Sequence, residues 1–118
     1  MVVEDEPKVL EVAVAALEDA GYRVTQAMNG AIALDLLERD QGFDLIFSDV
    51  VMPQVGGVEL ARRLRRDGFR GGILLSSGYA TGLSRDDLEA LDATFLAKPY
   101  SYNRLLETVA HIIGSTTA

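Results

Sequence analysis

The chain has 118 residues, 48% of them hydrophobic, enough for one domain with its own core and no need of metal or disulfide staples. Eighteen acidic residues against eleven basic ones leave a net charge of −7, which opposes binding to nucleic acid or to an anionic membrane. There is no cysteine, which excludes disulfides, thiolate catalysis and cysteine-bound zinc, and the one histidine, His111, leaves little room for a histidine metal site. No apolar run reaches the length of a membrane span. Acids stand where a signal peptide would carry basic residues, so the setting expected is cytoplasmic, without direct membrane contact.

In chain order, short apolar runs alternate with amphipathic stretches. Met1-Val2-Val3 reads as a short strand. Pro7 suits the first position of a helix, along which Val9, Leu10, Val12, Ala13, Ala16 and Leu17 recur at helical spacing until Gly21. Residues 22–27 alternate like an edge strand. Asn29 is a natural cap for a second helix with the stripe Ile32, Ala33, Leu36 and Leu37, closed by Gly42. Leu45-Ile46-Phe47 is continuously apolar, as in a strand buried on both faces. After a turn at 53–57, Val58, Leu60, Ala61 and Leu64 mark a third helix, whose Arg62, Arg63, Arg65 and Arg66 read as its solvated face. Residues 73–76 form a fourth strand. Ser84 caps a short fourth helix through Leu88 and Leu91, and residues 94–97 form a fifth strand. Leu105, Leu106, Val109, Ile112 and Ile113 make the last helix amphipathic. His111 reads as tolerated near that helix's C-terminus.

Alternating strands and helices imply an α/β fold, a parallel sheet covered on both faces. Right-handed crossovers and a five-stranded sheet favour a (βα)5 three-layer, flavodoxin-like sandwich with strand order 2-1-3-4-5. Residues 1–114 are expected to form the domain and 115–118 a tail. In that order the first and third strands are neighbours, so Asp5 and Asp49 converge at the carboxyl edge, where Ser77 and Lys98 also end their strands.

Those residue types suit phosphoryl transfer. Magnesium takes oxygen ligands, commonly one or two carboxylates plus phosphate. Asp5 and Asp49 would ligate directly, Glu4 through water, and the backbone carbonyl of Val51 would complete the protein's share. A carboxylate such as Asp49 can attack phosphorus, while a lysine offers a mobile positive charge and Ser77 a hydroxyl donor. Pro99 after Lys98 makes that bond a candidate cis peptide. Taken singly, each feature has a plainer explanation. Acids favour a helix's first turn, Asp49 precedes a turn, most lysines are superficial, and Ser77 is a loop serine. Only their convergence favours chemistry.

Together, Val-Val-Glu-Asp-Glu-Pro at 2–7, Ser-Asp-Val-Val-Met-Pro at 48–53, Gly57, Ser-Ser-Gly-Tyr-Ala at 76–80 and Lys-Pro at 98–99 resemble the receiver domain of two-component response regulators, over essentially the whole chain. The resemblance implies Asp49 as phosphoacceptor, Glu4 and Asp5 as the acid pair, and Val51 as a main-chain ligand for Mg2+. It implies Ser77 as the hydroxyl switch, Lys98 as the fixed lysine and Phe95 as the aromatic that follows the switch. Val51 and Tyr79 match positions flanking the phosphoryl group. Gly56, where the family often has Asp, and Gly78, where alanine is commoner, depart from the pattern.

The implied function is acceptance of a phosphoryl group from a histidine kinase or histidine phosphotransfer domain, read out on the face of the fourth helix, fifth strand and fifth helix. Such a domain assists its own phosphorylation and dephosphorylation but is not otherwise an enzyme, and is expected to be a monomer or weak dimer. The Ser-Gly-Tyr-Ala stretch is similar to receivers fused to sensor histidine kinases, and a free-standing regulator is the other setting. Rival readings are a magnesium-dependent phosphatase with an aspartyl-phosphate intermediate, a degenerate receiver serving only as an interaction module, and a flavin-binding module. Against the phosphatase, Val51 stands where a second acid is usual. Against the flavin module, acids follow the first strand where a phosphate loop would be.

Overall fold

The structure is a computed structural model that describes residues 1–78 and 83–116. Its elements are β1 (Val2–Val3), α1 (Pro7–Asp19), β2 (Gln26–Ala27), α2 (Gly30–Arg39), β3 (Leu45–Asp49), α3 (Gly57–Arg66), β4 (Gly72–Ser77), α4 (Arg85–Leu91), β5 (Ala93–Ala97) and α5 (Tyr102–Thr116). The strands form one parallel sheet in the order β2-β1-β3-β4-β5, as expected. The last helix continues to Thr116, into the stretch expected as tail.

Strand alternation divides the core. Ile73 and Leu75 face one layer with Ala33 and Leu37 of α2, Leu60, Ala61 and Leu64 of α3, and Leu91 of α4. Leu74, between them, faces the other layer with Leu10, Ala13 and Leu17 of α1 and Leu105, Val109 and Ile112 of α5. Each fully buried Leu, Ile or Val stabilises the fold by roughly 1.5–3 kcal/mol, so β4, buried along its whole length, is the spine.

The helices start where their sequences say. Pro7 opens α1, the Asn29 side chain accepts from the Ile32 N–H at 2.8 Å, and Ser84 forms a reciprocal capping box with Asp87. At Gly57 a Cβ would overlap the Asp49 carbonyl oxygen, so only glycine lets α3 begin against the end of β3.

Three expectations need correction. The edge strand shrinks from residues 22–27 to Gln26–Ala27, because β1 offers only Val2 and Val3 as pairing partners. Val12 and Ile32, assigned to buried stripes, are 68% and 44% exposed, and Val14 takes the inward place in α1. The arginines of α3 are not one solvated face. Arg62 and Arg66 are exposed and Arg63 pairs with Glu59 at 3.0 Å, but Arg65 folds inward. Its Nε donates to the Leu91 carbonyl at 2.7 Å, Nη1 to those of Phe69 and Gly71 at 2.8 and 2.9 Å, and Nη2 to that of Asp92 at 2.9 Å.

Candidate functional site

Because every strand points the same way, the residues leaving β1, β3, β4 and β5 meet on one edge. The Glu4 N–H donates to the Ala27 carbonyl at 3.0 Å, which carries the ladder one residue past β1 and turns the Glu4 side chain into the fold. Glu4 is 4% exposed, an unusual place for a carboxylate. It accepts from Lys98 Nζ at 2.9 Å and from the Glu6 N–H at 3.3 Å. Lys98 Nζ also lies 3.5 Å from Asp49 Oδ2. Oxygens of Glu4, Asp5 and Asp49 all fall within 4.8 Å of one another.

Three carboxylates therefore gather with one ammonium that contacts two of them, and the balance of the cleft is negative. Burial pushes the Glu4 carboxyl above its usual range, and the nearby Asp49 adds to this, while the Lys98 and Glu6 hydrogen bonds pull it back. Burial alone would lower the Lys98 ammonium, but its hydrogen bond to Glu4 and the charges of Glu4 and Asp49 outweigh that and hold it raised. An all-oxygen, acid-rich donor set is what a hard divalent cation such as magnesium prefers.

Backbone bonds fix the surrounding loops. The Val50 N–H donates to the Ser76 carbonyl at 2.9 Å, and the Gly57 N–H to the Val50 carbonyl at 3.0 Å, so the residue after Asp49 is held through both its N–H and its carbonyl. Beyond them the Val51 side chain is 53% exposed while Met52 turns inward. Ser77 closes β4 on the same edge, almost fully buried, with its carbonyl accepting the Lys98 N–H at 3.1 Å. The Lys98–Pro99 peptide bond is cis. Phe95 pairs with Leu75 across the β4–β5 ladder and is half-buried against the layer that contains Leu91. Tyr79, expected beside the phosphoryl group, lies outside the described residues.

A family model described as the response regulator receiver domain matches residues 1–110. The chain belongs to the response regulator receiver family. It is 39% identical over 116 residues to the sensor kinase CckA of Brucella abortus, covering 96% of this chain and 12% of that kinase. It is 34% identical over 114 residues to the response regulator receiver protein CpdR of the same organism, covering 96% of this chain and 94% of CpdR. Among solved structures, the response regulator TrrA of Thermotoga maritima, in complex with Mg2+ and BeF, superposes with a TM-score of 0.83 at 30% identity, covering 94% of this chain and 95% of that one. The chain is thus a receiver domain of two-component signalling, and it is similar both to a small part of a kinase and to nearly all of a separate receiver protein. No helix among its described residues is long and apolar enough to cross a membrane.

Two residues of the receiver's site escaped the sequence reading. Tyr100 packs edge-on against Phe47, with ring centroids 5.9 Å apart, and burial raises its phenol, with smaller effects from Lys98, Glu4 and Asp49. Its position two residues after Lys98 was the available signal. Ser76 is fully buried beside Asp49, and a second serine directly before Ser77 at the end of an apolar run was the clue.

Proposed function

We propose that Asp49 is the phosphoacceptor of this receiver domain. The observation that carries the reading is the convergence of the Glu4, Asp5 and Asp49 carboxylates within 4.8 Å, with Lys98 Nζ 3.5 Å from Asp49. In the reaction an Asp49 carboxylate oxygen attacks the phosphorus of a phosphohistidine. The new O–P bond forms as the N–P bond breaks, and the electron pair leaves on the imidazole nitrogen. Asp5, Asp49 and the Val51 carbonyl would hold Mg2+, with Glu4 acting through water. Bound there, Mg2+ would offset charge on the phosphoryl oxygens. Lys98 shifts its contact from the Asp49 carboxylate to a phosphoryl oxygen, and Ser77 donates its hydroxyl to another.

Ser77 and Lys98 sit on the ends of β4 and β5, so their movement bears on Phe95 and on the face made by α4, β5 and α5. That is a shift between two packings biased by phosphate contacts. The donor is a histidine kinase or a histidine phosphotransfer domain in the cytoplasm, and the domain takes the label without turning over a substrate. The exposed, uncharged Val51 side chain supports this, because it offers no acid to activate water.

Incubation with acetyl phosphate and Mg2+ should give one label per chain, and Asp49→Asn should take none. Full labelling of that variant would refute the assignment, and sustained release of phosphate would instead indicate a phosphatase.

A further inference from the structure

Ser76 occupies the place next to Asp49 on the neighbouring strand. The two are register partners in the β3–β4 ladder, and adjacent strands lie about 4.8 Å apart. Side chains alternate along a strand, so Ser76 faces the same layer as Leu74, toward α1 and α5. It is 0% exposed, and its Oγ has no hydrogen-bond partner among the described residues. A hydroxyl placed so deep costs stability unless something bonds it.

A small space lies beside it. Ser76 lines a cavity of about 10 Å³ together with Glu4, Asp49, Lys98, Phe47 and Tyr100. That is at the lower limit of the space that admits one water, about 10–15 Å³ on this measure, and a buried water needs two to four polar partners. Val2, Val3, Val9 and Ala13 make part of the cavity wall apolar, and the polar groups on the rest are the Glu4 and Asp49 carboxylates as acceptors, the Lys98 ammonium as donor and the Ser76 hydroxyl as either. A lysine ammonium carries three donors. Glu4 at 2.9 Å and Asp49 at 3.5 Å account for two of them.

We propose that Ser76 and the Glu4–Lys98–Asp49 cluster hold one internal water, and that through this water Ser76 positions Lys98 against Asp49. Ser76 is then a positioning residue, set behind the phosphoacceptor on the side away from solvent. The water restrains the ammonium that must move from the Asp49 carboxylate to the phosphoryl oxygens. The hydration site stands independently of phosphorylation, whereas the positioning role rests on Asp49 being the phosphoacceptor.

The test uses the 118-residue protein, Ser76→Ala and Ser76→Thr, with magnetisation transfer between water and protein measured by NMR. A long-lived water should correlate with Ser76 and Lys98 in the parent chain and in Ser76→Thr, and should be lost in Ser76→Ala. With acetyl phosphate and Mg2+, Ser76→Ala should label about three- to tenfold more slowly at saturating donor, the range that one net hydrogen bond spans. Its Mg2+ midpoint should be unchanged, and Ser76→Thr should restore the rate. Absence of a long-lived water in the parent chain would overturn the site. An unchanged labelling rate in Ser76→Ala once the water is lost would overturn the positioning role. A parent chain that holds the water but takes no label would overturn the phosphoacceptor reading, and the positioning role with it, while leaving the hydration site standing.

Discussion

Lys98 and Arg65 are both half-buried cations, one at each end of the sheet, and they are used differently. Arg65 spends its donors on four backbone carbonyls, those of Leu91, Phe69, Gly71 and Asp92, and lies 5.8 Å from the Phe69 ring centroid. Carbonyls in a folded chain do not leave, so this contact is permanent and clasps the end of α4 to the loop between α3 and β4. Lys98 instead contacts two carboxylates. Carboxylates can take a metal or a phosphoryl group, so the contact can be exchanged. The lesson is that the partner, more than the burial, separates a structural cation from a functional one.

Removing each cation should break this symmetry. Arg65→Ala should cost about 2–3 kcal/mol in denaturant unfolding, because several inward carbonyls lose a charged donor at once. That loss should be the same with and without Mg2+, and labelling of Asp49 should persist. An Arg65→Ala protein as stable as its parent would mean that water replaces the clasp.

The same far end carries a second cation on a carbonyl, and this one can lose its proton. The Met1 amine donates to the Leu45 carbonyl at 2.9 Å. Burial lowers its pKa from 8.0 to about 6, with Asp44 opposing. The unfolded chain therefore binds a proton that the folded chain does not between these values, and stability rises with pH across that window. The contribution is complete above pH 8 and lost by pH 6, a difference of roughly 2–3 kcal/mol. Acetylating the amine should flatten this part of the profile. Subtracting the two chains' unfolding curves cancels the carboxylates, and identical curves would refute the shift.

Lys98→Met should have the smallest effect on stability, about 1 kcal/mol, since Lys98 is partly in contact with solvent and the buried Glu4 carboxyl, already raised by burial, can take up a proton when its partner is lost. Here Mg2+ should restore what is lost, because a cation among the three acids replaces the missing charge. A loss that Mg2+ leaves untouched would show that Lys98 acts like Arg65, and the contrast between the two ends would fail.

Much of this molecule was legible in its sequence. The caps at Asn29 and Ser84, the Pro7 start and the apolar runs are local signals, and the helices they open start at their expected places. The acids at 4, 5 and 49 and the lysine at 98 were legible because strand order follows from alternating elements, and strand order brings strand ends together. What escaped depends on neighbours distant in the chain. Val12 satisfies helical spacing yet faces solvent, because Val14 fills the space above the sheet. Arg65 looks like its neighbours in α3 until the carbonyls of the α4 end, more than twenty residues away, reach it.

The sequence by itself determined the alternation of elements, the parallel sheet and the set of groups that meet at its carboxyl edge, because those follow from periodicity, caps and chain order. The tertiary structure alone decided which charges touch. It set Lys98 nearer to Glu4 than to Asp49, seated Arg65 on four carbonyls, and turned Ser76 into a cavity beside Asp49. Those outcomes depend on ångström distances between strands and helices, and no spacing along a chain encodes them locally.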